Sequence, residues 1–125
     1  MEKRIGVPPS GARRGNRPPD AGDLVWLSFS PQAGREQAGR RPALVLSPRS
    51  YNGKSGLCLA CPITSQVKGY PFEVELPEGL PVQGVVISDH LKSADWQSRN
   101  SEWIARAPVD LINQVRTKLK PLLGI

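Results

Sequence analysis

The sequence lacks several residue groupings from which hydrolytic and nucleotide-binding sites are built. It contains a single histidine, His90, so a catalytic centre with two histidines cannot form within one subunit. It has no cluster of aspartate and glutamate suited to magnesium, and no glycine-rich phosphate loop of the P-loop or dinucleotide-binding kind. We therefore expect neither a cofactor nor a resident metal ion.

Cysteine is also scarce, since Cys58 and Cys61 are the only two. Their C-x-x-C spacing occurs in redox and zinc sites, but no second pair is present to complete a site with four ligands. The surrounding residues 57–63 are typical of a buried strand, in which residues three apart point to opposite faces. We predict two buried structural thiols and no zinc site.

Long hydrophobic runs are absent as well. No stretch approaches the roughly 20 apolar residues that a membrane-spanning helix requires, and no short apolar core follows the basic N-terminus, as it would in a secretory signal. At 125 residues the chain has the length of one domain. We expect a cytoplasmic, single-domain protein with no membrane partner.

What the sequence does contain is an excess of positive charge. Lysine and arginine total 17 against 11 acidic residues, a net charge of +6. Residues 1–21 hold five basic and two acidic residues, four prolines and three glycines, which is typical of a flexible extension. The folded domain is predicted to comprise residues 22–125. Its charge suits a polyanion such as RNA or DNA, or an acidic protein.

The apolar pattern of the domain predicts a series of short strands. Asn52-Gly53 is a strong signal for a hairpin turn, and residues 94–100 are predicted to be a polar connection. Residues 70–76 alternate so that Tyr70 and the other apolar side chains point inward. The predicted strands are residues 23–30, 42–47, 57–63, 70–76, 84–87 and 102–106.

One amphipathic helix is predicted at the C-terminal end. Pro108 suits the first helical position, and Pro121 is expected to end or distort the last turn. The apolar stripe of this helix consists of Leu111, Ile112, Val115, Leu119 and Leu122. We expect the stripe to pack on the strands or across a dimer. The fold class is mainly β, a small barrel with an attached helix, or a small α+β fold.

Residues 34–42 form the loop with the most unusual composition. It holds three arginines and one carboxylate, Glu36, although a solvated hairpin loop could have the same composition. Arg41 and Thr64 stand at the ends of predicted strands, so a small barrel can bring them to one rim. Arginine clamps phosphate oxygens, and a carboxylate can transfer a proton. Without magnesium ligands, this chemistry favours RNA, whose 2′-hydroxyl is an internal nucleophile.

Several segments together resemble the MazF/PemK family of toxin endoribonucleases, and most of all its MazF members. The matching segments are residues 22–26, 36–48, 62–65, 68–74 and 88–93, with Trp96. The resemblance implies an SH3-like, partly open barrel that forms a homodimer. It also implies metal-independent, sequence-specific cleavage of single-stranded mRNA to 2′,3′-cyclic phosphate and 5′-hydroxyl ends. The gene would belong to a type II toxin–antitoxin pair, and a MazE-like antitoxin would inhibit the enzyme.

The resemblance also implies roles for individual residues. Arg41 matches a catalytic arginine, Thr64 a catalytic threonine, and Glu36 an acidic residue that acts either as the base for the 2′-hydroxyl or as an orienter of Arg41. Two RNA-contacting positions depart from the family, since Arg40 replaces a common histidine and His90 a common glutamine. The other residues predicted to contact RNA are Gln37, Asn52, Lys68, Asp89 and Lys92.

A non-enzymatic toxin on the same fold is the alternative. CcdB-like toxins inhibit DNA gyrase through an end of the chain that carries tryptophan. This chain ends in Leu122-Leu123-Gly124-Ile125 without tryptophan, which argues against that function.

Overall fold

The computed structural model of the protein describes residues 17–29 and 39–125. The predicted site residues Glu36 and Gln37 lie outside these described residues, as does the chain before Arg17.

An antiparallel sheet is the centre of the fold. Within the described residues its strands follow the order β4-β5-β3-β2-β1-β7, and β6 pairs with the first half of β3. Nothing in the described ranges pairs β4 with β7, so the sheet is open, as the predicted mainly-β, partly open fold requires. The strands are β1 (Asp23–Phe29), β2 (Gly39–Val45), β3 (Leu57–Thr64), β4 (Glu73–Glu75), β5 (Val85–Ile87), β6 (Lys92–Asp95) and β7 (Glu102–Arg106).

A C-terminal helix, α2 (Val109–Leu123), covers one face of the sheet. Its buried side chains join Leu24 and Leu44 in a first core, which confirms that the predicted stripe packs on the strands. Leu122 is the exception, because it is 47% exposed and lies beyond Leu119, the last buried residue of the helix. The buried helix residues are Leu111, Ile112, Val115 and Leu119.

Pro121 does not end this helix, which continues to Leu123, so of the two predicted effects, an end or a distortion of the last turn, the first is wrong. A proline removes only one backbone donor, and here it stands in the last turn. That turn closes through hydrogen bonds from Gly124 N to the Pro121 carbonyl at 3.3 Å and from Ile125 N to the Lys120 carbonyl at 3.1 Å. Gly124 has a φ of +72°, which supplies the left-handed end of the helix.

The opposite face of the sheet carries a second core, and we call it the site face. Cys58 lies in this second core and Cys61 in the first, so the two thiols are buried on opposite faces, as predicted. Burial raises the pKa of Cys58 to about 11 and that of Cys61, which also lies near the charge of Asp89, to about 12. The second core consists of Val25, Leu27, Phe29, Ala43, Val45, Cys58, Ala60, Ala94 and Trp96.

Helix α1 (Arg49–Ser55) replaces the predicted Asn52-Gly53 hairpin turn. The Asn52 side chain is buried, accepts a hydrogen bond from Ser47 Oγ at 2.6 Å, and donates to the carbonyls of Ser47 and Pro19 at 2.9 Å each. The backbone carbonyl of Asn52 accepts a hydrogen bond from Trp96 Nε1 at 2.9 Å. The side-chain amide of Asn52 is therefore engaged inside the protein, and the RNA contact of Asn52 stays a prediction.

Two further elements differ from the sequence prediction. The predicted strand 70–76 contains only β4, because Glu73 N closes a turn by donating to the Tyr70 carbonyl at 3.1 Å. This turn leaves Tyr70 58% exposed instead of inward. Strand β6 occupies the start of the predicted polar connection, where Cys58 pairs with Ala94 in the centre of the ladder.

The described chain begins with a short segment that packs on α1. Pro19 is buried, and the carbonyl of Pro18 accepts a hydrogen bond from Arg49 Nε at 2.9 Å. Asp20 Oδ1 accepts a further bond from Arg49 N at 2.9 Å. Residues 18–21 of the predicted extension thus contact the folded domain directly.

Candidate RNA-cleavage site

The register of the two central strands sets the geometry of Arg41 and Thr64. Strands β2 and β3 pair Ala43 with Pro62 and Val45 with Ala60. Continued by two residues, this antiparallel register aligns Arg41 with Thr64. Directly opposed residues share a face of the sheet, and Arg41 also pairs with Leu27 of the second core. Both predicted catalytic residues therefore belong to the site face.

Thr64 is held firmly at the end of β3. The residue is 6% exposed, and its Oγ1 accepts a hydrogen bond from Gln66 N at 3.1 Å. The hydroxyl proton can still be donated, because a hydroxyl accepts and donates at once. A threonine fixed in this way can donate to a phosphate oxygen next to an arginine.

Gly84 packs against the backbone of Thr64. Its φ is +121°, and a Cβ at this position would collide with the Thr64 carbonyl oxygen and lie 2.8 Å from the Thr64 carbonyl carbon. The next residue, Val85, pairs with Thr64 in the β3–β5 ladder. Because Gly84 has no side chain, β5 can approach closely and pair with the end of β3.

Lys92 is brought to the same face from the first position of β6. It pairs with Ala60 of the second core, and its Nζ lies 6.0 Å from the centroid of the Phe29 ring. Phe29 is the last described residue before the loop that contains Glu36. An ammonium group thus stands on the site face near the end of β1.

The loop after Thr64 carries Lys68 and is fastened to β4. The carboxylate of Glu73 accepts hydrogen bonds from Lys68 N at 3.2 Å and from Gly69 N at 2.9 Å. Lys68 is exposed, and its Nζ lies 6.0 Å from the centroid of the Tyr70 ring. This loop leaves the same strand end as Thr64, so its cation lies at the same end of the sheet.

Asp89 and His90 occupy a single 3-10 turn (Ser88–His90) between β5 and β6. Asp89 is exposed and His90 is half-buried. Cys61 Sγ donates to the Ser88 carbonyl at 3.6 Å, which places this turn against β3. The buried atoms Ser88 Oγ and His90 Nδ1 have no hydrogen-bond partner among the described residues.

Arg40 is not brought to this site. Successive residues of a strand point to opposite faces, so Arg40 lies on the face opposite Arg41. Its guanidinium forms an ion pair with Glu102 at 3.0 Å and a hydrogen bond with Ser28 Oγ at 3.3 Å. The structure therefore separates the two neighbouring arginines into different surroundings.

The loop that carries Glu36 and Gln37 has fixed end points. Phe29 and Gly39 pair across β1 and β2, and both belong to the described chain. The predicted acidic residue therefore lies in a connection that returns to the sheet two residues before Arg41. The roles of Glu36 and Gln37 remain predictions.

Two kinds of feature are absent from the described part of the chain. Residues 17–29 and 39–125 contain no group of three or more His, Cys, Asp or Glu side chains that could hold a metal ion. In the same ranges, no helix has both the length and the apolar character needed to cross a membrane.

Comparison with known families identifies this arrangement. The model of the PemK-like, MazF-like toxins of type II toxin–antitoxin systems matches residues 20–123. The chain belongs to this family of toxins.

Individual members of the family are similar over nearly their whole length. The endoribonuclease toxin MazF of Escherichia coli K12 is 45% identical over 106 residues, which are 85% of this chain and 95% of that relative. A crystal structure of MazF from Deinococcus radiodurans is 63% identical with a TM-score of 0.84, covering 86% of this chain and 98% of the other. A MazE–MazF complex from the same organism is 64% identical with a TM-score of 0.78, covering 86% and 96%.

Two residues that fix the backbone around the candidate site escape sequence reasoning. The alternation of residues 70–76 assigns Glu73 to a solvent-facing strand position, and the apolar run 84–87 gives no role to Gly84. The signals are nevertheless present: Pro71 interrupts the alternating run, and Gly84 begins a strand, where a glycine often marks a close backbone approach.

Proposed function

We propose that this endoribonuclease toxin cleaves single-stranded RNA, chiefly mRNA, at a defined base sequence and without a metal ion. The supporting observation is the register of β2 and β3, whose last pair is Ala43 with Pro62. Extended by two residues, this register aligns Arg41 with Thr64 on the site face. One residue supplies a bidentate cation for phosphate and the other a fixed hydroxyl donor. A scissile phosphate placed between Arg41 and Thr64 can accept hydrogen bonds from both side chains.

The reaction is an internal transfer of the phosphoryl group. The ribose 2′-oxygen attacks the neighbouring phosphorus and loses its proton, and the bond to the 5′-oxygen breaks. The leaving oxygen takes up a proton, donated by Arg41 or by water. The products are a 2′,3′-cyclic phosphate and a 5′-hydroxyl end, so no other reactant is consumed.

The charge that develops on the phosphorane explains the need for Arg41. Preorganised hydrogen-bond donors stabilise charge that develops in the transition state. Removal of one such donor by mutation raises the activation barrier by about 2.7–4 kcal/mol. Thr64 adds a second donor. Glu36 is the natural acceptor of the 2′-hydroxyl proton, because a guanidinium offers hydrogen-bond donors and no acceptor and is therefore a poor base. A role in orienting Arg41 is the alternative.

The RNA chain is proposed to follow the cations of the site face. Lys68 and Lys92 contact phosphates, while Gln37, Asp89 and His90 contact bases or ribose. Arg40, on the opposite face, contributes only to the general attraction of RNA. The departures at Arg40 and His90 from the common family residues leave the recognised base sequence to be measured.

We further propose that the toxin is a cytoplasmic homodimer held inactive by a MazE-like antitoxin. The Deinococcus complex is a MazE–MazF complex by name, and the net charge of +6 suits an acidic, extended antitoxin segment. The same charge would attract RNA, so the two ligands would compete.

The test is cleavage of a long single-stranded RNA by the purified protein in EDTA. We expect discrete products whose mapped ends carry 2′,3′-cyclic phosphate and 5′-hydroxyl groups. Intact RNA, or products with other ends, would contradict the proposal.

Single substitutions then assign the roles. Arg41→Ala and Thr64→Ala should each lower the cleavage rate about 100-fold or more in a protein that still folds. Thr64→Ala should also lower the melting temperature, because Gln66 N loses its acceptor. Arg116→Ala, an exposed arginine on α2, is the matched control for lost charge and should cleave normally. Full activity of either site variant would refute its assigned role.

A further inference from the structure

Tyr70 is exposed although it is a large aromatic residue close to the proposed cleavage site. Its side chain is 58% exposed, and the loop between Thr64 and Tyr70 is only five residues long. Exposed aromatic rings are the usual platforms on which single-stranded nucleic acids stack their bases. The position of Tyr70 therefore calls for a functional explanation.

The backbone beneath the ring is fixed by three hydrogen bonds. The Glu73 carboxylate accepts from Lys68 N and Gly69 N, and Glu73 N donates to the Tyr70 carbonyl at 3.1 Å. Pro71 confines the residue before it to extended conformations. Because this backbone is already fixed, the loop loses little conformational entropy when a ligand binds to the ring, which favours affinity.

A cation stands beside the ring. Lys68 Nζ lies 6.0 Å from the Tyr70 centroid, within the range of a cation–π contact. Residues 64–70 contain no carboxylate, and that of Glu73 is engaged by the backbone. An aromatic plane next to an ammonium group complements a nucleotide, whose base can stack while its phosphate meets the charge.

We propose that Tyr70 and Lys68 form a nucleotide subsite beside the Arg41–Thr64 site, in which Tyr70 stacks an unpaired base of the RNA. Because every base has an aromatic face, this subsite adds affinity without reading the sequence. The inference rests on the proposed cleavage of RNA. It assigns to Tyr70 the role of a binding residue that flanks the cleavage position.

The test uses an RNA oligonucleotide that contains the mapped cleavage sequence. A single 2′-deoxy substitution at the attacking ribose makes it uncleavable, and abasic residues are then placed at each position in turn. The dissociation constants are measured for the wild type, Tyr70→Leu and Tyr70→Phe. The leucine variant removes the ring but keeps apolar bulk, while the phenylalanine variant keeps the ring.

We expect Tyr70→Leu to bind the intact oligonucleotide at least about fivefold more weakly, the lower limit for a lost base–aromatic stack. Tyr70→Phe should bind like the wild type. One abasic position near the cleavage site should weaken binding to the wild type by a similar factor and leave binding to Tyr70→Leu unchanged. This coupling identifies the base that stacks.

Other results would overturn the inference. Equal RNA affinities of the wild type and Tyr70→Leu would exclude stacking. A weaker affinity of Tyr70→Leu would also exclude it if no abasic position weakened binding to the wild type by a similar factor. A weaker dimer with unchanged RNA affinity, measured by sedimentation, would assign Tyr70 to a protein interface. Cleavage of the parent RNA by the wild type tests the proposed function separately, so a failure of the subsite alone remains distinguishable.

Discussion

Two adjacent arginines of β2 act on different sides of the sheet. Successive side chains of a strand point to opposite faces of the sheet. Arg41 therefore lies on the site face, while Arg40 lies on the other face and forms an ion pair with Glu102. The ion pair of Arg40 is exposed, and such pairs contribute about 0–1 kcal/mol. Residue type alone does not separate the two side chains; the register of the strand does.

Gly84 is the residue at which we expect a small change to disturb the site most. A Cβ in Gly84→Ala would collide with the Thr64 carbonyl, and the φ of +121° is itself unfavourable for alanine. We predict a loss of about 1–3 kcal/mol in the free energy of unfolding and a lower cleavage rate for the folded protein, because Thr64 is displaced.

The matched control is Gly79→Ala. Gly79 has a φ of +94°, but among the described residues no neighbouring atom lies within 4 Å of the position that an added Cβ would occupy. The Gly79→Ala variant should have a lower free energy of unfolding because of backbone strain, and its cleavage rate should equal that of the wild type. Urea unfolding and single-turnover cleavage measure the two effects, and equal cleavage rates for both variants would show that Gly84 does not position Thr64.

The buried thiols predict how stability changes in alkaline solution. Burial raises the pKa of Cys58 to about 11 and that of Cys61 to about 12, against 9.0 for an ordinary thiol. The folded state therefore keeps protons that the unfolded state releases, so stability falls as pH rises from about 9 towards 11–12. The limiting slope is about 1.4 kcal/mol per pH unit for each thiol.

Urea unfolding at about pH 8, 9 and 10 measures this slope. Other groups titrate in the same range, so Cys58→Ala is the comparison, and its stability should fall less steeply than that of the wild type. Identical slopes in the two proteins would contradict the assigned pKa of Cys58.

At the scale of the elements, the sequence predicts the strands and the helix in which the apolar residues are also the buried residues. Strands β1, β3 and β7 and helix α2 lie close to the predicted ranges. Helix α1 is not predicted because Asn52-Gly53 favours a turn locally, while the helix depends on hydrogen bonds from Asn52 to residues 19 and 47. Strand β6 is not predicted because three of its four residues, Lys92, Ser93 and Asp95, are polar; pairing with β3 determines its structure.

Asn52 tests this explanation of α1. In Asn52→Ala the carbonyls of Pro19 and Ser47 lose their donor, and an unsatisfied buried polar group costs about 1–3 kcal/mol. We predict a loss of at least about 2 kcal/mol in the free energy of unfolding, with an unchanged RNA dissociation constant below the melting temperature. A weaker RNA complex with unchanged stability would instead place Asn52 at the RNA interface.

At the scale of the whole molecule, the fold follows from physical patterns, while the site required the resemblance to a family. Composition and periodicity indicate strands, a helix and a positively charged partner surface. Nothing local in the sequence links Arg41 to Thr64, because their proximity depends on pairing between strands separated by α1. The family resemblance selected these two residues, and the register of β2 and β3 supplies the physical reason.

The N-terminal segment divides into two parts with different expected effects. Residues 1–16 carry four basic residues and one acidic residue, and the family match begins at residue 20. Residues 18–20 contact α1. Burial raises the pKa of Asp20, but hydrogen bonds from Arg49 and Ala21 with the charges of Arg49 and Arg106 outweigh this, so its pKa is lowered overall.

Two truncations separate these parts. Deletion of residues 1–16 should leave stability and cleavage of short RNA unchanged, and reduce only the salt dependence of RNA binding, because it removes three net positive charges. Deletion of residues 1–21 also removes the acceptors of Arg49 and Asn52, so it should lower the free energy of unfolding by about 1–3 kcal/mol. Thermal melts and cleavage rates at a temperature where both proteins are folded measure the difference. If both truncated proteins melted like the full chain, the contacts of residues 18–20 with α1 would contribute nothing to stability, and the whole of residues 1–21 would be a dispensable extension.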